Sequence, residues 1–306
     1  MFIEQALKKE NKFWKYLLGS LVIIFTSSLA QIPLLLAVFL SPKTTSISQL
    51  NSDNLLQVLD SNLSLFLMSL TFVGGIIGLY FVAKWMHRQS LTSIITGAPA
   101  VRWGRVFFSF VSWAIVVVAT TLLDYACHPN DYILNFDLYN FLLLLLVAVV
   151  MLPLQTSCEE LIFRGYLMQG FGNLARNRWF PLLMTSLIFG SLHIMNPEVD
   201  KMGYSILIYY IGTGFLLGIM TLLDDGMELA LGFHAANNLM GALLVTSTWT
   251  VFQTHSILKD VSEPAVGYDV LLPVFVIYPL LLWVFSKKYQ WKNWKAKLSG
   301  SMTSTD

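Results

Sequence analysis

The sequence predicts an all-α, polytopic membrane protein of about eight transmembrane helices, with the N and C termini cytosolic. Three observations predict it. Of 306 residues, 56% are hydrophobic and only 12% are charged, about half the ~25% charge of a soluble domain, and the mean hydropathy is +0.64. Uncharged apolar runs recur from end to end. When those runs are threaded as spans, almost every Lys and Arg falls on one side. The formal net charge of +1 says nothing about partners, because here the distribution of charge matters and the sum does not.

The runs are Leu17–Leu40, Leu63–Ala83, Val106–Leu123, Phe141–Ser157, Trp179–Ile194, Tyr204–Leu223, Leu229–Val245 and Val270–Phe285. A spanning helix takes ~20 mostly apolar residues, so the shorter runs must borrow flanking positions. In the first run, Ser28-Leu29-Ala30 resembles a signal-peptide cleavage site. The apolar stretch nevertheless continues to Leu40, longer than a signal core, and reads as an uncleaved helix. With eight spans, sixteen of the nineteen Lys and Arg share one side, which the positive-inside bias makes the cytosol. They are Lys8, Lys9, Lys12, Lys15, Lys84, Arg88, Arg102, Arg105, Arg164, Arg176, Arg178, Lys287, Lys288, Lys292, Lys295 and Lys297. Only Lys43, Lys201 and Lys259 fall on the other.

The longest loops, Ser41–Asn62 and Ser247–Asp269, lie outside and are too short for a soluble domain, so residues 1–306 read as one integral membrane domain. Its first partner is the lipid bilayer. The Lys287–Lys297 stretch interleaves Trp291 and Trp294 with lysines and reads as an interfacial anchor, not as a nucleic-acid surface. Gly74-xxx-Gly78 and Gly214-xxx-Gly218 each set two glycines on one helix face for close packing. Pro153 can bend the fourth helix. Cys127 and Cys158 sit at different depths, which excludes a disulfide between them. Cys158 reads as a buried apolar thiol.

The chemistry gathers where charge interrupts the apolar pattern. Glu159 and Glu160 close the uncharged run Phe141–Ser157, and ionisable groups at membrane depth are functional candidates by default. A polar turn near Arg176 makes helices four and five a hairpin. Glu159 then lies seventeen residues before the turn and His193 seventeen after, which brings the two to similar depth at ~1.5 Å per residue. In helix seven, His234 and Asn238 are four apart and share a face. Glu160 and Arg164 are also four apart, the spacing of a helical salt bridge. That pairing leaves Glu159 as the free acid. His87, His128 and His255 fall in loops or at interfaces and are set aside. A purely structural role for the whole set would cost too much in buried polarity.

In order and placement, Glu159-Glu160-xxx-Arg164, Phe189-xxx-His193 and His234-xxx-Asn238 resemble the three motifs of the CAAX protease and bacteriocin-processing family, also called Abi. The motif-bearing core is 139–246. The resemblance implies an intramembrane endopeptidase of a multi-pass cell membrane, of bacterial type, with a peptide or membrane-anchored protein as substrate. It implies Glu159 as general base, His193 holding the water, His234 and Asn238 stabilising the oxyanion, and Glu160 with Arg164 fixing the geometry. Two cofactor readings stay open. Zinc could sit on Glu159, His193 and His234, although the helical H-E-x-x-H signature is absent. The other reading is a metal-free glutamate mechanism. Two other functions use the same residues: a proton-coupled transporter, and a non-enzymatic peptide-binding immunity protein.

Overall fold

The computed structural model describes residues 1–7, 11–43, 58–264 and 267–303. Lys8, Lys9 and residues 44–57 of the outer loop therefore lie outside the described residues. All eight apolar runs are helical: α1 Phe13–Ala30 with α2 Ile32–Phe39, α3 Ser61–Phe81, α4 Trp103–Cys127, α5 Leu138–Glu160 with α6 Met168–Ala175, α7 Trp179–Ser191, α8 Leu207–Asp224, α9 Glu228–Leu244 and α10 Tyr278–Tyr289.

The span count needs correction. Among the described residues six helical stretches are long and apolar enough to cross a membrane, beginning at Phe13, Ser61, Trp103, Leu138, Tyr204 and Val270. The stretch Trp179–Met195 is apolar but shorter. Helix α9 has 17 residues and carries His234, Asn237 and Asn238. At ~1.5 Å per residue such a helix falls short of a ~30 Å hydrocarbon layer. The all-α expectation also misses a small sheet of order β1-β3-β2, formed by Tyr132–Leu134, Leu258–Asp260 and Val245–Thr246. Its short connecting segments satisfy their backbone groups by pairing with one another.

Inside the bundle, α8 and α9 are the most enclosed helices, with Leu217, Met220, Leu223, Leu229, Ala230 and Phe233 fully buried. The outward faces of α1 and α4 stay apolar and uncovered, as at Leu21, Phe25, Phe107 and Ile115, which suits a lipid solvent. Glycines set the closest approaches. A Cβ on Gly74 or Gly78 would meet Thr26 of α1. On Gly214 it would meet the backbone of Ser186, and on Gly232 the carbonyl of Val106. Gly75 leaves room for the Cys158 thiol, since an added Cβ would lie 2.7 Å from its sulfur. Both cysteines are unpaired.

The predicted turns are present. Arg176 ends α6 at φ 55° and Asp225 ends α8 at φ 59°. Gly165 packs against Ile94 and Met227, so the α6–α7 hairpin extends beyond the α8–α9 turn. Residues 1–7 and 294–302 close over it. Arg178 pairs with Glu4 at 2.7 Å, Met302 N donates to Arg176 O at 2.8 Å, and Met302 lies under Gly172. Both ends of the chain thus meet at the same end of the bundle. Trp291 departs from its expected role as an anchor. It is buried and donates to Asp224 Oδ1 at 2.9 Å, while Trp294 stays exposed.

Candidate active site

Glu159 and Glu160 do not end a helix. The chain stays helical to Ala175, but over Leu161–Leu167 it widens into a π-helical stretch. Such widened turns recur at functional sites. Here the stretch directly follows the two acids and carries Arg164.

The two carboxylates have different surroundings. Glu160 is fully buried. Its Oε1 accepts from Arg164 Nη1 at 2.9 Å and from His234 Nδ1 at 2.8 Å. The i,i+4 bridge is therefore present, but it is only half of what Glu160 holds. Arg164 is also fully buried. Its Nη2 donates to Gly214 O at 3.3 Å, and its guanidinium lies 4.3 Å over the Phe189 ring, a favourable cation–π placement. Because His234 gives its Nδ1 proton to Glu160, its other nitrogen is turned to Glu159, with Nε2 3.7 Å from Oε2. Glu159 has one further contact, Gln155 Nε2 at 3.5 Å.

His193 lies just past α7, where the helix tightens to a 3-10 turn. Its Nδ1–H donates to Phe189 O at 2.8 Å, which leaves Nε2 as an acceptor when the ring is neutral. The ring stacks on Tyr210 at 4.2 Å, and Phe189 packs edgewise or tilted against both histidines. Asn238 Oδ1 accepts from Asn237 at 3.3 Å, so among the described residues its Nδ2 remains a donor without a partner. Asn237 is in turn held by Trp113 at 3.1 Å.

Glu159, His193, His234 and Asn238 line one cavity of about 840 Å³, within the size range of small-molecule and peptide sites. Glu160 and Arg164 stand behind its wall. The cavity continues between α1 and α3, past Ile23, Ser27, Ser64 and Met68. Its position inside the bundle, with apolar walls and a few converging polar groups, marks a candidate acid–histidine site.

The zinc reading fits this geometry poorly. Among the described residues no three His, Cys, Asp or Glu side chains gather closely enough to hold one ion. No step below is routed through a metal.

Spacing along the chain does not reveal Tyr210, Gln155, Glu198 or the Glu160–His234 bond. Gln155 had a signal, a polar residue four before Glu159 on the same face. Tyr210 had none. His87 lies, as expected, in the loop just past the helical stretch that ends at Met86. It is buried, bonded to Asn11 Oδ1 at 3.0 Å and Tyr166 OH at 3.1 Å.

Comparison with known proteins bears on the part of the chain that carries these residues. Residues 138–240 match the model of the Rce1-like type II CAAX prenyl endopeptidases, and the chain carries a domain of that family. Over 249 residues it is 29% identical to the uncharacterized protein YyaK of Bacillus subtilis (strain 168), covering 81% of this chain and 83% of the other. No solved structure matches.

Proposed function

We propose that the protein is an intramembrane endopeptidase that hydrolyses a peptide bond with a water activated by Glu159. One observation carries the reading. Of two adjacent acids, Glu160 is engaged closely by Arg164 and His234, whereas Glu159 opens on the cavity with two long contacts, to Gln155 and His234.

Water enters beside Glu159, which takes its proton as the oxygen attacks the scissile carbonyl. The His193 Nε2 lone pair accepts the other water hydrogen and orients the nucleophile. The carbonyl oxygen gains negative charge and is met by the Asn238 Nδ2–H donor, with the His234 ring, held by Glu160, alongside. Glu160 holds the His234 ring in its orientation, and Arg164 in turn pairs with Glu160 inside the apolar bundle. Glu159 then returns its proton to the leaving amine. The apolar walls exclude bulk water and strengthen these interactions. The Lys- and Arg-rich end of the bundle faces the cytosol, so substrates enter from the inner leaflet of a bacterial plasma membrane.

The test uses purified protein in proteoliposomes and a fluorogenic peptide ending in a prenylated Cys-a-a-X sequence, the substrate type named by the family. Cleavage is expected, with loss of about 10²–10³-fold for Asn238→Ala. Undiminished cleavage by Glu159→Ala protein would sink the mechanism.

A further inference from the structure

The cavity that holds Glu159 holds a second acid. Glu198 lies five residues beyond His193, in the first turn of the short helix Pro197–Met202. Its Oε1 accepts from Val251 N at 2.9 Å. That bond ties the Val251–Thr254 strap, itself part of the cavity wall, beside the acid. Its Oε2 is buried without a hydrogen-bond partner. Glu198 is also an electrostatic neighbour of Tyr210, the ring stacked on His193. Tyr210 thus neighbours both this acid and His193, and all three line the cavity.

No cation answers it. Among the described residues no Lys or Arg lines the cavity or forms a salt bridge with Glu198. Burial without a counter-charge holds its carboxyl above the ordinary range. A buried carboxylate oxygen left unpaired is costly. Elsewhere the chain spends arginines on such groups, as Arg164 does on Glu160. Here, among the described residues, no arginine or lysine does so.

Resting on the peptidase reading, we infer that Glu198 is a specificity-determining residue that receives a cationic group of the substrate, a Lys or Arg side chain or an amine, while the scissile bond lies at Glu159.

The experiment compares peptides that carry Lys or norleucine at each position around the scissile bond in turn. They are cleaved by wild type and by Glu198→Gln protein in proteoliposomes. Gln keeps the acceptor for Val251 N and removes only the charge, so the readout is the ratio of kcat/KM values and not the rate. At one position wild type is expected to favour Lys by roughly tenfold, a modest share of the attraction of a partly desolvated ion pair. Glu198→Gln is expected to bring that ratio close to one. A ratio equal in both proteins, or a wild type without cation preference at any position, overturns the inference and leaves the peptidase reading intact. If wild type cleaves no peptide, that reading fails, and binding of the same peptides to the two proteins by calorimetry decides the cation preference by the same ratio.

Discussion

Among the described residues, two buried acid clusters are built in opposite ways. At the end of the bundle where the termini meet, Asp224 is paired with Arg105 and Arg102 and also accepts from Trp291, while Glu228 takes Arg102 Nε at 2.8 Å and Nη2 at 2.6 Å. Each acid there faces an arginine. In the middle of the bundle, one arginine serves two adjacent acids and reaches only Glu160. Glu159 is left to a histidine 3.7 Å away and to an open cavity. Burial and negative charge are common to both clusters. The absence of neutralisation, next to an open cavity, separates Glu159, the proposed general base, from the acids that fasten helices together.

Substitutions can break or sharpen that contrast. The largest effect belongs to Glu159→Gln. Removing the general base should cost about 10²–10⁴-fold in kcat while the melting temperature in detergent barely moves, because Glu159 holds little in place. Next comes Glu160→Gln, which leaves Arg164 charged and uncompensated. Breaking a buried pair this way costs about 3–5 kcal/mol, so thermal unfolding should show a severely destabilised protein. If both variants gave the same phenotype, the division of roles between the two acids would be wrong. Glu228→Gln should be milder, about 1–3 kcal/mol from a lost charge-assisted hydrogen bond beside a partly exposed arginine. Cleavage per folded molecule should persist, as measured by active-fraction titration.

The smallest effect is a pH response at Glu4. Burial alone would raise its carboxyl. Hydrogen bonds from the N-terminal ammonium and Arg178 outweigh that and hold it below the ordinary range. A depressed folded value means that the stabilisation is present above the unfolded pKa, ~4.3, and is lost as pH falls through the folded value. Hydrogen exchange in residues 1–7 should therefore accelerate only in acid below that point, and Glu4→Gln should flatten the response.

Much of this was legible in the sequence, for identifiable reasons. Apolar runs announce helices because a bilayer tolerates little else, and the turns at Arg176 and Asp225 were marked by charge. The two short helices were over-read as spans because hydropathy does not register that α9 spends positions on His234, Asn237 and Asn238 for a site inside the bundle. Glu159, Glu160, Arg164, His193, His234 and Asn238 stood out because polarity in an apolar run is conspicuous. The spacing rule found Glu160–Arg164, a contact within one helix. It could not find Glu160–His234, whose partners are 74 residues apart and meet only through the packing of α5 on α9. Tyr210 was invisible for a related reason, since a tyrosine in a membrane helix is ordinary until its neighbour is known.

The meeting of both chain ends over the Arg176 turn bears on how the protein is assembled. Arg178 reaches Glu4 on one side and the Ala296 carbonyl on the other, contacts separated by 174 and 118 residues. Contacts this distant in sequence wait for the loops between them to close. The hairpin that carries Glu159 and His193 toward each other therefore stays unlocked during synthesis until the last helix is in the bilayer. A chain stalled before residue 294 would hold every candidate site residue without the contacts that tie this turn to the C-terminal segment.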